Sequence, residues 1–257
     1  MLDFAESLKT WRQTRRLSQL ALALEAEVSA RHLSFLETGR ARPSREMVLH
    51  LADVLEVPRS DRNALLTAAG FAAHYPEMAL DDAAMAPVRQ AMDWTISRHA
   101  PYPAIVMDRL WRLVALNVPA QMLFGSLGLQ EGGSILDVIC ADEGAAQLIE
   151  NWPEVGHHLI TRLRTESARA GGIEELDRFA ARLAEDPAIA GWQPTSAPQA
   201  VLPTIYRAGD LRLSLFSTYA QFGTAEEIAL SDMKIEMMFP ADEATRDLLH
   251  KLAPDGV

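Results

Sequence analysis

Residues 17–44 read LSQLALALEAEVSARHLSFLETGRARPS, and the spacing of caps, apolar positions and stops in this stretch decides the fold of the first third of the chain. Ser18 and Ser29 each precede a short run with helical apolar spacing, where a serine hydroxyl can accept from a backbone N–H of the first turn. The runs are Gln19–Ala26 and Ala30–Glu37, separated by a break of a few residues. Gly39 stops the second run, and the loop Gly-Arg-Ala-Arg-Pro leads to Ser44, the cap of a further helix over Arg45–Leu55. Outward from this core, Phe4, Leu8 and Trp11 make one stripe of a helix over Phe4–Arg15. Pro58 and Arg59 open a fifth helix that ends near Ala69-Gly70.

Two short helices joined by a tight turn inside a five-helix bundle make a helix-turn-helix. Ala23 stands where the two helices must approach most closely, and Val28, Leu33 and Leu36 are the residues available to fill their shared core. Ser29, Ala30, Arg31, His32 and Ser34 are then left near the outward N-terminal end of the third helix, which suits the major groove of B-DNA. Charge agrees. The chain of 257 residues carries a formal net charge of −11, but residues 1–75 carry a net +1 and residues 76–257 a net −12. Within residues 9–45, eight basic side chains stand against three acidic ones. A basic segment on an acidic body implies one surface that meets phosphates and a remainder that avoids them.

The quoted stretch resembles the XRE (lambda-repressor-like) helix-turn-helix family over about residues 4–70. The resemblance implies that Ser29, Ala30, Arg31 and Ser34 face base edges. It also implies that Gln19 braces the second helix against a phosphate, with Ser18, His32, Arg40, Arg42, Ser44 and Arg45 along the backbone. Arg31 has two readings at this point, a bidentate contact to guanine or a phosphate-facing, solvated arginine. One position departs from the family: Glu27 occupies the turn where glycine is usual, so a left-handed conformation there carries a steric cost.

The next segments are read as a connector and linking helix over residues 73–100, with the helix itself at Val88–His99. A domain over residues 101–257 follows. Ala104–Asp108 and Trp111–Asn117 have strand composition around a two-residue turn, Arg109-Leu110. Asn151 is placed to cap a long helix, and a second helix runs over Ile173–Glu185. Extended segments follow at Gln199–Arg207, Leu211–Ala220 and Ser231–Phe239, the first two joined by a Gly209-Asp210 turn. Asp242 caps a last helix to Leu252. This order predicts an α+β chain: an all-α first domain, then a five-stranded antiparallel sheet with helices on one face. It is the order of a PAS domain, and PAIVMDRLWRLVALN, NW before a helix bearing RLR, and IEMMFPADEATRDLL resemble the ligand-binding domain of MmyB-like transcription regulators. That resemblance implies a PAS-like core holding a small apolar, fatty-acid-like molecule.

A PAS sheet curls around a cavity, and the residues expected to line one are Ile105, Met107, Trp111, Leu113, Ala115, Met122, Phe124, Leu136, Trp152, Leu159, Phe216 and Met237. His157 and Tyr206 are the polar exceptions. The alternative is that the same residues fill an ordinary core. Catalysis is not expected: no phosphate loop or G-x-S-x-G elbow is present, and adjacent His157 and His158 point about 100° apart on a helix. Asp142-Glu143 is the remaining acidic pair. Cys140 is the sole cysteine, so neither an internal disulfide nor a multi-cysteine metal site can form. No apolar run reaches the length of a membrane span and no signal-peptide core is present, so a soluble, cytoplasmic protein is expected. The expected partners are double-stranded DNA, a second copy of the chain and a small apolar ligand, with no required cofactor or metal. The rival reading is a sensor or scaffold that acts through protein partners and uses its PAS-like domain only to dimerise.

Overall fold

The computed structural model describes residues 3–75, 78–141, 145–193, 200–222, 230 and 232–253. The chain forms two compact units, the first built on residues up to 77 and the second beginning at Met78. In the first, the expected helices are α1 (Phe4–Thr14), α2 (Gln19–Glu25), α3 (Ala30–Glu37), α4 (Arg45–Val54) and α5 (Arg59–Ala68). Ser18, Ser29 and Ser44 cap α2, α3 and α4, their hydroxyls accepting from Ala21, His32 and Met47 N–H. Leu22, Leu33 and Leu36 are fully buried, and Ala23 packs beside them.

All five helices end in the same way. The residue after each cap, Arg16, Glu27, Gly39, Glu56 or Gly70, has a positive φ. The next N–H then reaches back to the carbonyl five residues earlier, as Val28 does to Ala23 (2.9 Å) and Val57 to Ala52 (2.9 Å). This is the Schellman closure, and Leu17, Val28, Val57 and Phe71 follow it by turning onto the shared core. Glu27 therefore holds the left-handed geometry expected of it, at φ 52°.

Behind α3 lies an ion pair. Arg12 donates from Nε and Nη2 to the two Glu37 carboxylate oxygens at 2.6 and 2.9 Å, and Gln19 Nε2 adds a third bond at 2.7 Å. The Glu37 side chain is 1% exposed. Burial pushes its carboxyl up, but the hydrogen bonds from Arg12 and Gln19 and the charges of Arg12 and Lys9 outweigh that and hold it below the usual carboxylate range. The Arg12 guanidinium, bonded to Glu37, is pushed up in turn.

Residues 73–75, assigned from sequence to the connector, fold onto the first unit instead. Asn63 Oδ1 accepts from His74 and Tyr75 N–H, and its Nδ2 donates to the Tyr75 carbonyl. Nor is the linking helix a free spacer. In the second unit, α6 (Ala86–Arg98) buries Met92 and Ile96.

The remaining elements are β1 (Ala104–Met107), β2 (Leu113–Leu116), α7 (Val118–Phe124), α8 (Ile135–Cys140), α9 (Trp152–Arg169), α10 (Glu174–Ala184) and α11 (Pro187–Ala190). After them come β3 (Thr204–Ala208), β4 (Leu211–Ala220), β5 (Lys234–Pro240) and α12 (Glu243–Leu252). The sheet is antiparallel, in the order β2-β1-β5-β4-β3. The expected starts of two strands, Gln199 and Ser231, and the pair Asp142-Glu143 lie outside the described residues. Among the described residues, no helix is long and apolar enough to cross a membrane.

Three differences from the sequence reading matter for the site. First, the sheet has helices on both faces: Ala104, Val106, Ile235 and Met237 pack with α6, while Ile105 and Glu236 face the other way. Second, the β1–β2 register shifts between Val106 and Met107, so Leu113 pairs with Met107 across a bulge. Trp111 lies before β2 at φ 61°, outside the alternation that was to place it. Third, Asn151 serves β3: its Oδ1 accepts from Ile205 N–H (3.0 Å) and its Nδ2 donates to the Pro203 carbonyl (2.8 Å). Asn117 is a similar junction, accepting from Ala104 and Ala120 and donating to Ile96 and Tyr102, which ties α6, β1 and α7 together.

Replacing Glu37 with Gln leaves the Arg12 charge buried without its counter-charge, so urea denaturation of the first unit should show a loss of about 3–5 kcal/mol. Because the Glu37 pKa is depressed by folding, its stabilisation is fully present above the ordinary glutamate value of about 4.3 and lost as pH falls through the lower folded value. The variant should therefore lose less stability on acidification than the parent.

Candidate nucleic-acid interface and candidate ligand cavity

At the N-terminal end of α3, Ser29, Ala30 and Arg31 are exposed, while His32 and Ser34 are half-buried at its sides. This asymmetry follows from Leu33, Leu36 and Glu37 facing inward. The Arg31 guanidinium lies over the Phe35 ring, 5.4 Å from its centroid, one helical turn along. Arg40 and Arg42 stand exposed in the loop after α3, with exposed Ser44 beside them. Arg45 is half-buried and donates from Nη2 to His74 Nδ1 at 3.2 Å. Gln19, expected to meet a phosphate, turns its amide inward to Glu37 and braces α3 from within. Ser18, Ser29 and Ser44 use a lone pair as helix caps, which leaves each hydroxyl hydrogen for an outside acceptor.

In the second unit, the sheet face away from α6 encloses a cavity of about 300 Å³ with α8 and α9. This is at the lower end of the ~300–1,000 Å³ range of small-molecule sites. Six expected residues line it: Ile105, Trp111, Phe124, Trp152, Leu159 and Tyr206. The others do not, for separate reasons. Phe216 and Met237 point to the opposite sheet face, where Phe216 stacks on Phe239 (5.7 Å) and Met237 packs with the α6 cluster. Ala115 joins that cluster too. Leu113 is closed off by the Gly132-Gly133 segment, which exchanges backbone hydrogen bonds with it. Met107 and Leu136 are fully buried behind the lining. Met122 is exposed on α7, and His157 is exposed with its ring 4.9 Å from that of Trp192.

The chain belongs to the MmyB-like transcription regulators. The model of the MmyB-like transcription regulator ligand binding domain matches residues 88–252, and a helix-turn-helix domain model matches residues 3–65. Among solved structures, the PAS domain of Bordetella pertussis BvgS is 14% identical, covering 65% of this chain and 94% of that one at a TM-score of 0.29. An RNA-binding light-oxygen-voltage receptor is 12% identical, covering 96% of this chain and 62% of that one at a TM-score of 0.28. No curated protein matches.

The polar part of this MmyB-like domain's cavity was missed in the sequence. His158 rather than His157 reaches it, and so do Arg162, Ser217, Tyr219 and Glu236. Two signals could have found them. Trp152, Val155, Leu159 and Arg162 recur at helical spacing along α9, so Arg162 continues the stripe that Trp152 and Leu159 begin. The Gly209-Asp210 turn pairs Tyr206 with Leu213, which puts Leu215, Ser217 and Tyr219 on the Tyr206 face and Phe216 on the other.

Burial, and then the charge of Glu236, push the Tyr206 and Tyr219 hydroxyls well above the ordinary tyrosine range. The Tyr206 ring packs against Phe124 at 5.6 Å. No hydrogen-bond partner for its hydroxyl is found among the described residues. Removing an unpaired buried hydroxyl relieves a desolvation penalty of about 1–3 kcal/mol. A thermal melt of Tyr206→Phe without ligand should thus show a midpoint equal to or above the parent's.

Proposed function

We propose that this regulator recognises a specific operator through α3 and is controlled by a small apolar, fatty-acid-like molecule held in the PAS-like cavity. The observation that carries the reading is the placement of α3, with its Glu37 end locked in the core and Ser29, Ala30 and Arg31 presented outward. In this reading Ser29, Ala30, Arg31 and Ser34 meet base edges, Arg31 bidentate to a guanine. Ser18, His32, Arg40, Arg42, Ser44 and Arg45 meet the backbone. The protein acts as a homodimer on half-sites about 34–36 Å apart, because one short recognition helix supplies little affinity. The outward side of α6 supports a dimer contact: Ala91 is exposed there and Trp94 is 63% exposed. Ligand would act by favouring one arrangement of the dimer, to the extent that it binds that arrangement more tightly. The protein needs no metal or catalytic group for this.

Binding-site selection with full-length protein should return a defined motif. Arg31→Ala should relax one position of it, a loss of about 1–3 kcal/mol of discrimination, whereas Arg42→Ala should weaken all sequences alike and reduce the salt slope by about one. An unchanged profile for Arg31→Ala would remove this residue from base reading, and absence of any duplex binding would favour the scaffold reading.

For ligand control, native mass spectrometry of protein purified without detergent should show an additional acyl-sized mass. A bare polypeptide mass that stays bare after exposure to medium-chain lipids would leave the PAS-like unit as a dimerising module.

A further inference from the structure

The cavity wall is apolar over most of its area, with aliphatic side chains from α8 and α9 and the rings of Trp111, Phe124 and Trp152. A cation breaks this pattern. Arg162 ends the inward stripe of α9, and its guanidinium lies 4.3 Å from the Trp111 ring centroid and 3.8 Å from that of Tyr219. Its Nη1 donates to the Tyr219 hydroxyl. That hydroxyl in turn bonds Glu236, the residue paired with Tyr219 across β4 and β5. The Glu236 carboxylate is therefore answered within the wall.

Ring contacts of this kind engage the face of a guanidinium, whereas its five N–H donors lie in the plane and point outward from the edge. A guanidinium fixed by aromatic rings at the rim of an apolar chamber is suited to a planar oxyanion that approaches edge-on. Exposure grades the same way: Ile105, Trp111, Leu129 and Trp152 are buried, whereas Ser217, Tyr219 and His158 are exposed. An amphiphile can thus place its chain among the buried residues and its head toward the exposed ones.

We propose that Arg162 is the head-group anchor of this cavity, selecting amphiphiles that end in a carboxylate over neutral ones of the same chain length. This rests on the ligand reading of the preceding subsection. Lining residues such as Ile139, Val155 and Leu159 supply affinity for the chain without regard to the head, and Arg162 supplies the discrimination. Tyr219 holds the guanidinium in position.

The test is isothermal titration of the full-length protein with decanoate, decan-1-ol and decanamide at pH 8, where decanoate is ionised. Decanoate should bind at least tenfold more tightly than either neutral compound. In Arg162→Met the three affinities should converge, with decan-1-ol within twofold of its parental value, and Arg162→Lys should keep part of the preference. Retained decan-1-ol binding shows that the variants are folded. Equal affinities in the parent, or a decanoate preference that survives Arg162→Met, would overturn the anchor while leaving an apolar-ligand site standing. A parent that binds none of the three would overturn the ligand reading itself, and the anchor with it.

Discussion

A guanidinium and a carboxylate sealed behind α3 set the geometry of the DNA-binding unit. Arg12 and Glu37 meet through two hydrogen bonds in a region with little solvent, and the same arginine reaches the Leu17 carbonyl at the end of α1. Taking two charges out of water is costly, so such a pair adds little net stability over an apolar substitute. Its effect is directional. Glu37 is the last residue of α3, and Gln19 is the first of α2; both are tied to α1 through the same carboxylate. The two helices of the motif therefore hold a defined angle, and the opposite end of α3 has to project outward.

The five left-handed helix ends work toward the same rigidity. Helices of seven to eleven residues have little stability of their own, and each Schellman closure satisfies terminal carbonyls while returning an apolar side chain to the core. Glycine fills only two of these positions. Arg16, Glu27 and Glu56 accept the left-handed conformation at a cost of roughly 1–2 kcal/mol each. The packing of Leu17, Val28 and Val57 that directly follows offsets it.

In the second unit, alternation of side chains across the pleat divides labour between two sheet faces. One face is filled by α6 and carries methionine, valine and alanine in a closed cluster. The other stands off from α8 and α9 and encloses space, so polar groups occur there: Tyr206, Ser217, Tyr219 and Glu236 share it by parity, and Arg162 meets them from α9. Ion and hydroxyl groups on a cavity face cost less than in a filled core, because solvent or a ligand can reach them.

How much of this was legible depended on the range of the interactions involved. The helix-turn-helix is encoded within 28 consecutive residues, since caps, stops and apolar spacing act over one or two turns, and its helices appear within a residue or so of where those signals put them. The Gly209-Asp210 hairpin and the Asp242 cap are equally local. The bulge between Val106 and Met107 could not be read in advance, nor could the diversion of Asn151 to β3 and of Gln19 to Glu37. Each is decided by a partner many residues away. The same holds for the cavity. Sequence by itself determined that a five-stranded sheet and an apolar α9 stripe exist, because composition and turn chemistry are properties of neighbours. Only the tertiary structure decided which sheet face is filled and which is hollow, because a one-residue shift of register moves every side chain of a strand to the opposite face.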